Sequence, residues 1–142
     1  MENIKIYLAG GMSGLSYKEQ MGWRDQLIYC IKYSGLDLMK SVNFFSPPDF
    51  YNFEEPQHKS EREVFEFDLY NLKKSDLVVV NFNDPKSLGT AMELAIAKEN
   101  KIPVIGLNEK DAELYPWLRE CCTRICDDFN ELLNHIIEFY LK

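Results

Sequence analysis

The sequence has no apolar run approaching the length that crosses a membrane, no internal repeat and no low-complexity segment. A helical membrane span and a repeat architecture are therefore excluded. Positive charge is also in short supply: 16 Lys and Arg stand against 23 Asp and Glu, for a net charge of -7. With no basic patch to neutralise phosphates, nucleic-acid polymers and anionic membrane are excluded as partners, although one small phosphate can still bind through backbone amides. Cysteine is sparse, at Cys30, Cys121, Cys122 and Cys126. The last three with His135 match no common zinc spacing, and adjacent cysteines are poorly placed to chelate together, so no metal or other cofactor is expected. Reduced, partly buried thiols suit a cytosolic chain. The opening Met1 to Leu8 has too short an apolar run for a signal sequence, which makes a cytoplasmic protein the expectation.

What is present fits one domain over residues 1–142 with a proper core: 46% of residues are hydrophobic and 27% charged, both ordinary for a globular chain. The most informative stretch is Ser87-Leu88-Gly89-Thr90-Ala91-Met92-Glu93-Leu94-Ala95-Ile96-Ala97, which carries a single charge, Glu93. It lies between two β-branched runs, Asp76 to Phe82 and Ile102 to Leu107, that read as buried strands. Strand, turn (Asn83 to Ser87), helix and strand in about thirty residues make a βαβ unit. Glu93 then falls in the second helical turn. There the helix dipole and unpaired amides are expected to favour its ionised form, able to act as base, nucleophile or cation stabiliser above a sheet edge. The competing reading is a boundary glutamate whose stem packs and whose head reaches water.

Ile4 to Leu8 reads as the first strand, followed by the loop Ala9-Gly10-Gly11-Met12-Ser13-Gly14. The loop lacks a P-loop ending and dinucleotide glycine spacing, so a tight turn and a ligand loop both remain open. Its place after strand one is where such folds bind ligands. Ser16 is an N-cap for a helix from Tyr17 to about Tyr33, with Glu19 completing a capping box and Gly35 as stop. Met21, Trp23, Leu27, Ile28 and Ile31 form its inward stripe, with Arg24 expected on the solvated side.

Val42 to Phe45 reads as strand two. It runs into the aromatic segment Ser46 to Pro56, read either as a substrate cover or as simple packing, with His58 beside it. Ser60 to Lys74 is helical, with Val64, Phe65, Leu69 and Leu72 on one face. Asp68 lies on that same face, and a carboxylate there must be paired or face a cavity. Beyond Ile102 to Leu107, Tyr115-Pro116-Trp117-Leu118 starts a short helix and Arg124 to Cys126 reads as a fifth strand. Phe129 to Tyr140 is an amphipathic helix with Leu132, Leu133, Ile136, Ile137 and Tyr140 inward. The alternation predicts a doubly wound α/β fold around a five-stranded parallel sheet in the order 2-1-3-4-5.

Three segments together resemble the nucleoside 2-deoxyribosyltransferase family: Ile6 to Ser13; the Asp68-Leu69 helix leading into Ser75 to Val80; and Ser87 to Leu94 followed by Lys101 to Leu107. The resemblance spans roughly residues 4 to 107, and Gly89-Thr90-Ala91-Met92-Glu93-Leu94 is its most specific element. It implies an enzyme that cleaves the N-glycosidic bond of a 2′-deoxynucleoside or its 5′-monophosphate. Glu93 matches the family nucleophile, Asp68 the aspartate that protonates or hydrogen-bonds the departing base, and Tyr7 the tyrosine that orients the glutamate. The chemistry agrees, since an oxocarbenium-like state needs a carboxylate facing the sugar and an acid at the leaving nitrogen. Gly10, Gly11, Met12, Ser13, Asp84, Ser87 and Gly89 are then substrate-binding candidates.

The family also contains 2′-deoxynucleoside 5′-phosphate N-hydrolases, and the details point both ways. Transferases commonly have aspartate where Ser87 stands, with Asp84 a substitute from an earlier turn position, whereas the hydrolases have a phosphate-binding serine there. The hydrolases also have an arginine where Ser13 stands and a neighbouring subunit's serine near the region of Tyr115 to Leu118, where this chain has none. Transfer to a base, release to water and a non-catalytic nucleotide-binding module are thus all carried forward. By the same resemblance a homodimer or higher homo-oligomer is expected, with Tyr115 to Leu118 near the partner chain.

Overall fold

The computed structural model describes residues 2–12, 14–34, 38–51 and 58–142. Ser13, the proposed stop Gly35 and the aromatic segment from residue 52 to 56 lie outside them.

The most continuous apolar run becomes the middle of the sheet. Leu77–Asn81 (β3) is buried at every position because it pairs on both edges, with Glu2–Gly10 (β1) and Val104–Leu107 (β4). Lys40–Phe45 (β2) joins the far side of β1, and Arg124–Cys126 (β5) that of β4, so five parallel strands stand in the order β2-β1-β3-β4-β5. This is the predicted topology. β1 is longer than its apolar core suggests, for Ala9 pairs with Val80 and Gly10 with Asn81. The first two residues read as loop are therefore strand.

Side chains alternate across the strands and divide the interior into two layers. Ile4, Ile6, Leu8, Val79 and Ile105 pack with Leu27 and Ile31 of Tyr17–Lys32 (α1) and with Leu132 and Ile136 of Phe129–Ile136 (α5). Tyr7, Ala9, Val78 and Val80 face the opposite side, against Leu72 of Glu61–Lys73 (α2), Leu94 and Ala97 of Leu88–Glu99 (α3) and Leu118 of Pro116–Glu120 (α4). Each fully buried leucine in these layers contributes about 1.5–3 kcal/mol through removal of apolar surface from water. Cys126 belongs to the first layer while Cys121 and Cys122 border the second, so the sheet separates the three thiols weighed as ligands. After α5 the chain closes with a π-helical turn, Ile137–Leu141.

Four helix starts among the described residues carry side-chain caps. Ser16 and Glu19 form the capping box of α1, Ser60 accepts from the Glu63 amide at the start of α2, Ser87 from the Thr90 amide at the start of α3, and Asp128 from the Glu131 amide at the start of α5.

α1 departs from prediction in what it buries. Gln20, Arg24, Leu27 and Ile31 are its most buried positions, while Met21, Trp23 and Ile28 are half-buried. Arg24, expected in solvent, is fully enclosed. Its hydrogen-bond groups reach the carbonyls at the end of β1, which makes the burial tolerable.

Candidate active site

The carboxyl ends of β1 and β3 and the amino end of α3 meet at one edge of the sheet. Two loops interlock there. The Gly11 amide donates to Asn83 Oδ1 at 3.1 Å, and a Cβ on Gly11 would stand 2.7 Å from the Cβ of Asp84. Only glycine permits so close an approach, and the contact fixes the β1 loop against the β3–α3 turn. In that turn Asp84 Oδ1 accepts from the Lys86 amide at 3.3 Å.

Above this edge lies a cleft of about 420 Å³ whose lining includes Gly10, Met12, Asp84, Ser87, Gly89 and Thr90, with Asp68 and Glu93 on its wall. A smaller hollow of about 190 Å³ shares Asp68, Gly89 and Glu93 and continues between α2 and α3, with Val64, Phe65, Leu69 and Met92 as its apolar lining. A Cβ added at Gly89 would touch nothing within 4 Å, so this glycine keeps space open rather than satisfying a packing demand. Gly11 acts from outside the cleft, through Asp84.

Tyr7 projects from β1 toward the α2 and α3 side and donates its phenolic hydroxyl to Glu93 Oε2. Its ring stacks on Phe45 at 5.2 Å, and Phe45 stacks on Phe50 at 5.1 Å. Phe67 and Tyr51 close the aromatic group at edge-on angles. The described part of the aromatic segment therefore packs beneath Tyr7 and fixes its ring. Asp68 sits one turn after buried Val64 and one turn before buried Leu72, on the inward face of α2, with Oδ1 buried and without a partner among the described residues. Phe65, assigned to that face, is 45% exposed and instead borders the smaller hollow.

Burial decides the protonation of this group. It lifts Glu93 to about 7, helped by Asp68 and opposed by the Tyr7 hydrogen bond and the charge of Arg24. The helix dipole is expected to favour the ionised form; desolvation at the second turn offsets a field that fades beyond the first and leaves Glu93 poised near neutrality. Asp68 is likewise lifted to about 7 by burial, with Arg24 opposing. Burial and the two carboxylates hold Tyr7 well above the ordinary phenol range, so it stays a donor. With both near 7, neutral pH populates forms in which one of the two carboxyls is ionised and the other protonated.

Sequence reading passed over two residues. Arg24 is one. The other is Thr90, whose buried hydroxyl has no partner among the described residues and lines the larger cleft beside Ser87. Its signal was only its place one turn before Glu93. Among the described residues no group of three or more His, Cys, Asp or Glu side chains is arranged to hold a metal ion, and no helix is long and apolar enough to cross a membrane.

A family model described as Nucleoside 2-deoxyribosyltransferase matches residues 6–136. No curated protein sequence matches at a significant level. Among solved structures, a conserved protein from Enterococcus faecalis aligns with a TM-score of 0.74 at 18% identity, over 94% of this chain and 96% of its own. A 2-deoxyribosyltransferase from Bacillus psychrosaccharolyticus aligns at 0.69 and 19% identity, over 92% and 90%. A CMP N-glycosidase from Clostridium botulinum aligns at 0.56 and 20% identity, over 93% and 97%. At these identities the structural likeness establishes a shared fold.

Proposed function

The chain belongs to the nucleoside 2-deoxyribosyltransferase family, and on that premise we propose that it breaks the N-glycosidic bond of 2′-deoxynucleosides or their 5′-monophosphates and passes the sugar to another base. The observation that carries this reading is the Tyr7-oriented Glu93 together with Asp68, whose buried Oδ1 has no partner among the described residues, at the junction of the two cavities.

In the proposed reaction an ionised Glu93 oxygen bonds to the anomeric carbon as the carbon–nitrogen bond breaks. The bonding pair leaves with the base, whose nitrogen takes the proton from Asp68. A second base then attacks the same carbon from the face the first one left, gives its proton to Asp68 and releases Glu93 as carboxylate. Two displacements retain configuration. Tyr7 supports the first step by holding Glu93 in position; the Phe45 stack beneath it limits where that hydroxyl can point. The apolar hollow between α2 and α3 suits a flat base, and the polar cleft suits the sugar.

A second reading, release to water from a 5′-monophosphate, is favoured by the lining of the cleft at the amino end of α3. Ser87 stands where transferases commonly have an aspartate, with Lys86, Asp84 and the Thr90 hydroxyl, unpartnered among the described residues, lining the same cleft. Ser87 accepts from the Thr90 amide and still has its own proton to donate.

Incubation with matched deoxynucleosides and deoxynucleoside 5′-monophosphates, with and without an acceptor base, separates these readings by chromatography. A new nucleoside formed only with acceptor supports the transferase. Free base from monophosphates without acceptor supports hydrolysis, and no release from any substrate leaves a nucleotide-binding module.

A further inference from the structure

Arg24 has the largest fully buried side chain among the described residues. Its partners there are backbone carbonyls: Nε donates to Leu8 at 3.2 Å, Nη2 to Gly10 at 3.5 Å and Nη1 to Gln20 one turn earlier. The guanidinium also lies over the Trp23 ring, 4.8 Å from its centroid. Carbonyl dipoles satisfy the donors and leave a net positive charge inside the protein. A buried charge of that kind is costly unless opposite charge answers it.

The groups facing it come from four elements. Glu93 approaches from α3, Tyr7 from β1, Asp49 from the short turn Pro47–Asp49 and Asp68 from α2. Burial lowers the Arg24 pKa to about 10, which leaves the group charged at neutral pH. The carbonyls it holds, of Leu8 and Gly10, flank Ala9 at the end of the strand that carries Tyr7.

We propose that Arg24 is a positioning residue of this site: it clamps the end of β1, with Tyr7 and the start of the glycine loop, and supplies the fixed positive charge against which Glu93 and Asp68 ionise. Without it the ionised forms of two neighbouring carboxyls in a poorly solvated cleft lose a counter-charge, and less of the ionised nucleophile is present at neutral pH. The clamp and the charge are separable roles, because lysine can supply the second without the geometry of the first. The inference rests on reading Glu93 and Asp68 as the reacting carboxyls, but its test needs no substrate.

Carboxyl-carbon NMR titration of Glu93 and Asp68 is compared in the wild type, Arg24→Gln and Arg24→Lys. The Gln variant is expected to raise the midpoints by about one pH unit, the effect of removing a nearby opposite charge. The Lys variant is expected to recover most of that shift. A folded Gln variant with unchanged midpoints overturns the proposal, as does a Lys variant displaced as far as Gln. If Gln does not fold, Lys decides alone: near wild-type midpoints support the role, and a displacement of about a unit overturns it. If neither folds, Arg24 is structural only and the proposal falls. Midpoints that move as expected in a protein that turns over no nucleoside sink the proposed activity and leave this role standing.

Discussion

In the proposed reaction Glu93 and Asp68 divide one chemical task, one as nucleophile and the other as acid. Burial brings both to about 7, so the proposed reaction needs the microstate with Glu93 ionised and Asp68 protonated, and the rate falls on either side of neutrality. Acid removes the nucleophile and alkali removes the acid. Asp68→Asn is expected to abolish the alkaline fall and to slow cleavage more for poor leaving bases than for good ones. A pH-rate series on two nucleosides checks this, and an equal loss with both bases counts against proton donation.

Both carboxyls were legible from sequence because each is a charge where an apolar residue is due: Glu93 within Ala91 to Ala97, and Asp68 on the stripe of Val64 and Leu72. Arg24 was not. A long cationic side chain reads as solvated, and two of its three carbonyl partners come from β1, sixteen and fourteen residues away. The available signal was its spacing from Gln20, Leu27 and Ile31, which puts all four on one helical face. How far burial lifts Glu93 was not legible for a related reason, since the dipole follows from local sequence whereas desolvation depends on β1 and α2.

At the scale of elements the site depends on how the glycine loop meets the β3–α3 turn. Gly11→Ala forces apart backbone segments whose nearest side-chain atom is the stiff Cβ of Asp84, at 2.7 Å, rather than a flexible tip. Overpacking of this kind costs about 1–3 kcal/mol. The variant should lose stability in that range by urea denaturation, and its KM for nucleoside should rise as Asp84 is displaced. Unchanged stability and KM would show that the loops do not depend on this contact. The strand order followed from composition because five short apolar runs alternate with helical patterns. The extension of β1 to Gly10 did not, because pairing with Asn81 is a property of the assembled sheet.

For the molecule as a whole, the same carboxyls make stability depend on pH. Their folded-state values lie above ordinary carboxyl values, so between about pH 4 and 7 the folded state binds more protons than the unfolded. Their contribution is complete below that window and is lost as pH rises through it. The wild type should therefore melt at lower temperature at pH 8 than at pH 5, by roughly 2–4 °C for each kcal/mol lost. The Asp68→Asn, Glu93→Gln double variant should flatten that slope in a scanning-calorimetry series, and an equal slope would place its origin elsewhere.

Assembly belongs to this scale as well. Leu88, Tyr115 and Trp117 are 80%, 63% and 73% exposed, and Leu88 and Tyr115 line a groove of about 540 Å³ that shares Lys86 and Ser87 with the cleft. A second copy of the chain seated there would cover apolar surface and border the substrate. Sedimentation equilibrium is expected to show a dimer or larger assembly weakened by Trp117→Asp; a monomer at all concentrations would remove that reading.

The covalent role of Glu93 is tested most directly by mass spectrometry of the intact protein and of its acid-protease peptides after rapid acid quenching of a reaction with a 2′-deoxynucleoside. An added deoxyribosyl group is expected on the intact chain and on the peptide containing Glu93, absent from the folded Glu93→Gln variant, which should release no base. Turnover without that adduct, or base release at the wild-type rate by Glu93→Gln, would contradict that role.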